Sequence, residues 1–277
     1  MEKGRLYVVA TPIGNLEDIT LRALKILKEV DIIAAEDTRH TLKLLNHFEI
    51  TKPLISYYRH NEDTKKDVLI DKLNNGESIA IVSDAGTPGI CDPGEEIIKQ
   101  AIDEQIEIIP IPGACAFVNA LICSGIDTKE FTFFGFLPLN KKLRKVKLEE
   151  IENSTKTIIM YEAPHKLKTT LEDLNNILKN RKIVLARELT KIHEEFIRGT
   201  VSDIIENQDN LKGEFVIIIE GNDYVEKTES ELNELSLDEH YKFYKSQGFE
   251  KKEIIKKIAK DRNVSKNEIY MKFLGTH

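Results

Sequence analysis

The sequence predicts an α/β protein with two α/β domains and a small helical tail. Short apolar runs alternate with helical patterns across residues 6–124, which is typical of a parallel, doubly wound sheet. A second, largely β-rich series of apolar runs follows, and residues 237–277 carry helical patterns alone. The predicted domains are therefore 1–124 with a parallel sheet, 125–222 with a mixed sheet, and 223–277 as an acidic connector and helical tail.

The strands of the first domain are predicted at 6–10, 32–35, 54–57, 79–82 and 106–111. Thr20 and Asp37 are predicted to cap two of the intervening helices, because each precedes a run with helical periodicity. Asp92 is predicted to cap a third helix, with Pro93 at the first helical position and Glu95 completing a capping box.

The strands of the second domain are predicted at 131–134, 157–161, 183–186, 194–198 and 215–219. Residues 141–147 form the densest basic run, which is either a solvated helix face or a surface for a phosphate backbone. An acidic connector is predicted over 223–236. Three short helices follow, broken at Gly248 and near Arg262, and Ser265 caps the last; the final pair resembles a helix-turn-helix.

The chain has 277 residues, 41% of them hydrophobic, which is enough for a sizeable core and two domains. Its net charge of -7 does not favour nucleic acid, but residues 237–277 hold ten Lys and Arg against six Asp and Glu. The three cysteines form no CxxC pair, so we expect reduced thiols in a cytoplasm and no metal site. No apolar run approaches the roughly 18 residues of a membrane span, so neither a span nor a signal peptide is expected.

Loops rich in Gly and Pro follow three predicted strands of the first domain: 11–15, 83–89 and 112–116. In an open parallel sheet, ligands bind at the carboxyl ends of the strands, so these loops are expected to face one cleft. A turn without a ligand would need the glycines but not the acid at Asp84. Glu36 also ends a buried strand, which makes it a second candidate.

Other polar residues near strand ends have simpler interpretations. Asp37 can be a helix cap and Arg39 its solvated neighbour. His60 and Glu62 lie in a polar and aromatic cluster that is equally consistent with an exposed loop.

Seven motifs occur in order along the chain: TPIGN, AEDTR, SDAGTPGICDPG, PGACA, YEAPHK, ARELTKIHEEFIRGT and GEFV. Together they closely resemble the ribosomal RNA small subunit methyltransferase I family, a branch of the tetrapyrrole methylase-like methyltransferases. The resemblance covers residues 4–221, and the tail resembles the helical domain of many members. Departures at Gly89, Cys91 and Lys166 do not obviously remove a function.

The resemblance implies S-adenosylmethionine bound between the two α/β domains, and methylation of the ribose 2′-hydroxyl of a cytidine in small-subunit ribosomal RNA. It also implies a homodimer that acts on this RNA or on the assembled small subunit. The cofactor residues that it implies are Ile13, Asp84, Ala85, Gly86, Thr87, Pro88, Gly113, Ala114, Cys115, Ala116, Tyr161, Glu162, Ala163, Ala186 and Phe215. The catalytic candidates, which the sequence does not rank, are Glu36, Asp37, Arg39, His60, Glu62, Glu188 and Lys191.

Two other functions remain open at this point. A small-molecule, tetrapyrrole-type methyltransferase could use the same scaffold, since a fold does not determine a substrate. A non-catalytic RNA-binding module would have no cofactor pocket. Bound S-adenosylmethionine would exclude the module, and methyl transfer to small-subunit particles but not to tetrapyrroles would exclude the small-molecule enzyme.

Overall fold

A computed structural model of the chain describes residues 2–178, 180–207, 213–222, 232–233, 235–246 and 249–274. The chain forms two units, Met1–Gly221 and Asn222–His277. Within the described residues, no helix is long and apolar enough to cross a membrane. The division of the first unit at residue 124 stays a prediction.

The first sheet is parallel throughout, as predicted, with the order β3-β2-β4-β1-β5. Every residue of β2 and β4 is buried, because helices cover both faces of the sheet. Its strands are β1 Arg5–Val9, β2 Ile32–Ala35, β3 Leu54–Ser56, β4 Ile79–Val82 and β5 Glu107–Ile111.

Five α-helices accompany these strands, with a 3₁₀ turn over Leu16–Asp18 before the first. Thr20 caps the first helix as predicted, since its Oγ1 accepts a hydrogen bond from the backbone N–H of Ala23 at 3.1 Å. Asp37 caps the second helix in the same way, through the N–H of Arg39 at 2.8 Å. The helices are α1 Leu21–Glu29, α2 Thr38–His47, α3 Glu62–Asn74, α4 Glu95–Asp103 and α5 Ala116–Ser124.

The prediction that Asp92 caps α4 is wrong. The N-cap is Gly94, whose φ of 142° is a backbone conformation that side chains disfavour. Its N–H donates to the carboxylate of Glu62 at 3.0 Å, so a residue of α3 replaces the local cap. The side chain of Asp92 therefore does not cap α4.

The second sheet is mixed, as predicted, with the order β6-β7-β10-β8-β9. Only β6 and β7 are parallel; the other neighbours are antiparallel. β6 continues beyond its predicted end, because a register shift between Phe133 and Phe136 lets the strand resume its pairing with β7. The strands are β6 Phe131–Phe136, β7 Thr157–Glu162, β8 Lys182–Arg187, β9 Glu195–Thr200 and β10 Phe215–Ile219.

Helices α6 Lys141–Asn153, α7 Pro164–Leu178 and α8 Val201–Asn207 accompany this sheet. Helix α5 also packs on it, since Ala120 and Leu121 share an apolar cluster with Ile159 and Val216. The last helix of the first sheet thus joins the two sheets within one unit.

The three predicted helices of the second unit are present among its described residues: α9 Leu237–Ser246, α10 Lys251–Asp261 and α11 Lys266–Leu274. Ile254, Ile255, Ile258 and Ile269 are buried in the core of this unit, and Phe273 packs against them. Ser265 caps α11 through the N–H of Glu268 at 3.2 Å. Gly248 and most of the predicted acidic connector lie outside the described residues.

Candidate active site

A cavity of about 560 Å³, here called the first cavity, lies between the two sheets of the first unit. The first sheet contributes loops at the carboxyl ends of its strands, which is the edge that the topology predicts. The lining residues are Ile13, Glu36, Asp84–Thr87, Ile90–Asp92, Cys115, Ala116, Phe136, Tyr161–His165, Ala186, Glu188, Leu189, Lys191 and Glu214–Val216.

The loops after β1 and β4 are joined through their backbones. The N–H of Thr11 donates to the carbonyl of Gly86 at 2.8 Å, and the N–H of Gly86 donates to the carbonyl of Thr11 at 3.1 Å. Gly86 has a φ of 83°, and a Cβ added there would lie 3.2 Å from Cγ2 of Ile13. A larger residue would therefore be strained and would crowd the cavity.

The loop after β5 braces this pair. Thr87 Oγ1 donates to the carbonyl of Ala114 at 3.2 Å, and a Cβ added at Gly113 would lie 2.9 Å from Cβ of Ala10. Pro88, Gly113 and Ala114, which were expected to contact a cofactor, are not among the described residues that line the cavity. All the other predicted cofactor residues line it: Ile13, Asp84, Ala85, Gly86, Thr87, Cys115, Ala116, Tyr161, Glu162, Ala163, Ala186 and Phe215.

A second cavity, of about 570 Å³, adjoins the first. Glu36, Cys91 and Phe136 line both cavities and form a shared wall. The lining of the second cavity consists of Glu36, Tyr58, Arg59, His60, Cys91, Pro93, Phe134, Gly135 and Phe136.

Three of the carboxylates that line the first cavity, Glu36, Asp84 and Asp92, follow strands of the first sheet. Asp84 Oδ1 accepts from the N–H of Asp37 at 2.9 Å. Burial raises the pKa of Asp92 to about 6, and the charges of Glu36 and Asp84 add to the rise. Burial and the charge of Asp84 likewise raise the pKa of Glu36. The site therefore concentrates negative charge where solvent stabilises it poorly, which favours a proton or a cationic ligand.

Cys91 fixes the loop that carries Asp92. Its φ of 64° is uncommon for a residue with a side chain, and its carbonyl accepts from Arg59 Nη2 at 3.3 Å. A Cβ added at Gly135 would lie 2.8 Å from Cys91 Sγ, so the thiol packs directly on β6. The loop after β4 is thus held against the second sheet at the shared wall.

An ion pair lies in the lining contributed by the second sheet. Lys191 Nζ is 3.1 Å from Oε1 of Glu188 and 3.5 Å from Oε2 of Glu214. Burial by itself would raise the pKa of Glu188, but hydrogen bonds from Lys191 and from the N–H of Glu214 outweigh it, so the pKa is lowered. Glu188 is therefore a weaker proton acceptor than Glu36 or Asp92.

The predicted catalytic residues occupy different places. Glu36 lines both cavities, His60 lines the second, and Glu188 and Lys191 line the first. Asp37, Arg39 and Glu62 are absent from the described lining of either cavity.

These three residues have local partners instead. Arg39 Nη2 is 2.7 Å from Oδ2 of Asp37, and its hydrogen bonds lower the pKa of that carboxyl. Glu62 holds the N–H of Gly94. The roles predicted for them stay predictions.

Sequence reasoning missed several lining residues, among them Asp92, Arg59 and Phe136. Asp92 lies in the same loop after β4 as Asp84, but the sequence around it resembles a helix N-cap, so it was not predicted as a cavity residue. Phe136 ends an aromatic-rich strand, and the sequence did not indicate that its side chain is exposed to the cavities.

A family model described as Tetrapyrrole (Corrin/Porphyrin) Methylases matches residues 5–205. A relative from Halalkalibacterium halodurans, named Ribosomal RNA small subunit methyltransferase I, is 53% identical over 272 residues, which cover 97% of this chain and 94% of that protein. A relative of the same name from Bacillus subtilis is 50% identical over 273 residues, with the same coverage of both chains.

Two solved structures share the fold of the first unit. Uroporphyrin-III-C-methyltransferase from Thermus thermophilus has a TM-score of 0.55 at 18% identity, covering 78% of this chain and 94% of that chain. Diphthine synthase has a TM-score of 0.61 at 14% identity, covering 79% and 90%. At these identities the likeness concerns the fold alone, and it confirms the predicted fold class.

Proposed function

Because the chain belongs to the ribosomal RNA small subunit methyltransferase I family, within the tetrapyrrole methylases, we propose that it methylates the ribose 2′-hydroxyl of a cytidine in small-subunit ribosomal RNA. The methyl donor is S-adenosylmethionine. The observation that carries the proposal is the pair of adjoining cavities with a shared wall, which provides separate places for a donor and an acceptor.

The first cavity fits S-adenosylmethionine. Its volume of about 560 Å³ lies within the range of roughly 300–1,000 Å³ that is usual for small-ligand sites. Gly86 leaves room for close backbone approach, and Ile13 and Leu189 offer apolar contact. The half-buried carboxylates of Asp84 and Asp92 complement a cationic ligand. When bound, S-adenosylmethionine supplies a methyl group that its positive sulfonium already activates.

Glu36 is the proton acceptor that we propose. It lines both cavities, so it can reach a hydroxyl that approaches the methyl group from the second cavity. Its raised pKa makes it a better proton acceptor than an exposed carboxylate. With S-adenosylmethionine bound, Glu36 would take the proton of the ribose hydroxyl as its oxygen accepts the methyl group from the sulfonium. Placement of the oxygen in line supplies much of the remaining acceleration.

The tail is proposed to dock the RNA substrate. On α10, Lys251, Lys252, Lys256 and Lys260 are exposed, while the isoleucines of the same helix are buried. These ammonium groups therefore face solvent, where they can release counterions from a phosphate backbone. A lid or a dimer contact is the rival role of this unit.

Methyl transfer to isolated small-subunit particles tests the proposed function. Particles lacking the modification are incubated with the protein and S-adenosylmethionine carrying a labelled methyl group, and the RNA is digested to nucleosides. Labelled 2′-O-methylcytidine is the expected product. Label on a base, or transfer to a tetrapyrrole but not to the particles, would contradict it. The homodimer and the location in the cytoplasm remain part of the proposal, and light scattering tests the dimer.

A further inference from the structure

The second cavity has aromatic walls from both sheets. Tyr58 and His60 lie in the loop after β3, with their rings edge to face at 6.4 Å between centroids. Phe134 and Phe136 lie on β6 of the other sheet. Tyr58 is 42% exposed and Phe136 is 53% exposed. Large rings left open to solvent inside one cavity are typical of a binding surface, and planar ligands stack on such rings.

A cation lies beside these rings. Arg59 is exposed, and its Nη2 donates to the carbonyl of Cys91 at 3.3 Å, which holds the guanidinium in the cavity lining. That bond uses one of five N–H donors, so others can bind a ligand. A guanidinium matches the geometry of phosphate oxygens. Aromatic walls and a guanidinium together match the two chemical parts of a nucleotide, its planar base and its phosphate.

The shared wall places the second cavity next to the proposed site of the methyl donor. Among the described residues, Glu36, Cys91 and Phe136 line both cavities, so a ligand of the second cavity lies next to the first. The carboxylate proposed to take the hydroxyl proton is therefore on the boundary between donor and acceptor.

We infer that the second cavity binds the acceptor as a single unstacked nucleotide of the RNA, with its base on Tyr58 and Phe136 and its phosphate on Arg59. This inference rests on the proposed function. Bases in single-stranded or extruded RNA segments stack on aromatic side chains, whereas a base inside a duplex is hidden from them. The ribose of such a nucleotide faces the shared wall and Glu36.

Tyr58→Ala is the primary test, because Tyr58 lines only the second cavity among the described residues. Stacking on an aromatic side chain contributes roughly 1–3 kcal/mol per base, so KM for small-subunit particles should rise about 5- to 150-fold. Affinity for S-adenosylmethionine, measured by calorimetry, should stay within about threefold of the wild type. Tyr58→Phe keeps the ring and should restore KM.

Phe131→Ala is the matched control. Phe131 lies on β6 and is 42% exposed, like Tyr58, but it is outside the described lining of both cavities. Its KM should equal that of the wild type. Arg59→Ala should also raise KM, and it should lower the salt dependence of particle binding by about one phosphate contact.

A binding measurement separates this inference from the proposed function. Fluorescence anisotropy reports the affinity of a labelled, cytidine-containing single-stranded RNA oligomer for the wild type, Tyr58→Ala and Phe131→Ala. Weaker oligomer binding by Tyr58→Ala, with unchanged binding by Phe131→Ala, supports nucleotide binding in the second cavity. It does so even if no methyl transfer is found, because that result would refute only the proposed function. Unchanged KM and unchanged oligomer binding in Tyr58→Ala would overturn the inference. Loss of particle binding with full retention of oligomer binding would also overturn it, since it would assign the cavity to a ribosomal protein.

Discussion

Asp92→Asn is expected to make the ligand-free protein more stable at neutral pH. In the folded protein, burial and two neighbouring carboxylates raise the pKa of Asp92 from 3.8 to about 6. At about 1.4 kcal/mol per tenfold change, this corresponds to about 3 kcal/mol of unfavourable energy for the ionised form. The side chain is only half-buried, so solvent screening reduces the effect to about 1 kcal/mol. Asn keeps an oxygen that can accept from Ser83 and removes the charge.

The sign of the effect depends on pH. A folded pKa above the unfolded value means that the folded protein binds the extra proton, so the wild type loses stability as pH rises from about 4 to about 6. The variant lacks this loss. Its advantage should be close to zero near pH 4 and reach about 1 kcal/mol above pH 6.

Denaturant unfolding at several pH values between 4 and 8 measures this difference, with Asp103→Asn as the control. Asp103 is exposed at the end of α4, so its substitution removes the same charge from a chain of net charge -7 without changing the cavity. The same Asp92→Asn variant should bind S-adenosylmethionine several-fold more weakly, because the cavity lining loses the negative charge of Asp92. Equal stability of the two variants at pH 7.5, or a destabilised Asp92→Asn, would refute the electrostatic account of the site.

Three further outcomes are expected. Gly86→Val should weaken S-adenosylmethionine binding at least tenfold in calorimetry, because a branched side chain at a φ of 83° is strained and meets Ile13. Unchanged affinity would mean that the loop is only a structural turn. Glu36→Gln should lower the rate of methyl transfer about 10²- to 10⁴-fold and flatten the rise of that rate with pH, while cofactor affinity changes only a few-fold. Equal loss of methyl transfer and of cofactor affinity would place Glu36 in the cofactor site. A chain ending at Gly221 should keep cofactor binding but transfer less methyl to small-subunit particles, and this transfer should depend less on salt concentration. Loss of cofactor affinity or of a dimer would mean that the tail has a structural role.

The succession of strands and helices along the chain could be predicted from the sequence, because it depends on interactions between near neighbours. Thr20 and Asp37 accept hydrogen bonds from residues only three and two positions later, so their caps could be predicted. The buried β-branched runs of β2 and β4 likewise predicted a parallel sheet covered on both faces. The ligand loops followed, since the carboxyl ends of parallel strands meet at one edge.

Which polar residues line the site depends on contacts between residues that are far apart in the sequence. Asp92 has the local pattern of a cap, but the N–H that it would have bound is held by Glu62, 32 residues away. The second cavity brings Tyr58, from the loop after β3 of the first sheet, together with Phe136 of β6 in the second sheet. This proximity depends on strand order and on the packing of α5 against the second sheet, which no short stretch of sequence encodes. The burial that raises the pKa of Glu36 and Asp92 has the same origin, because desolvation is a property of the assembled walls.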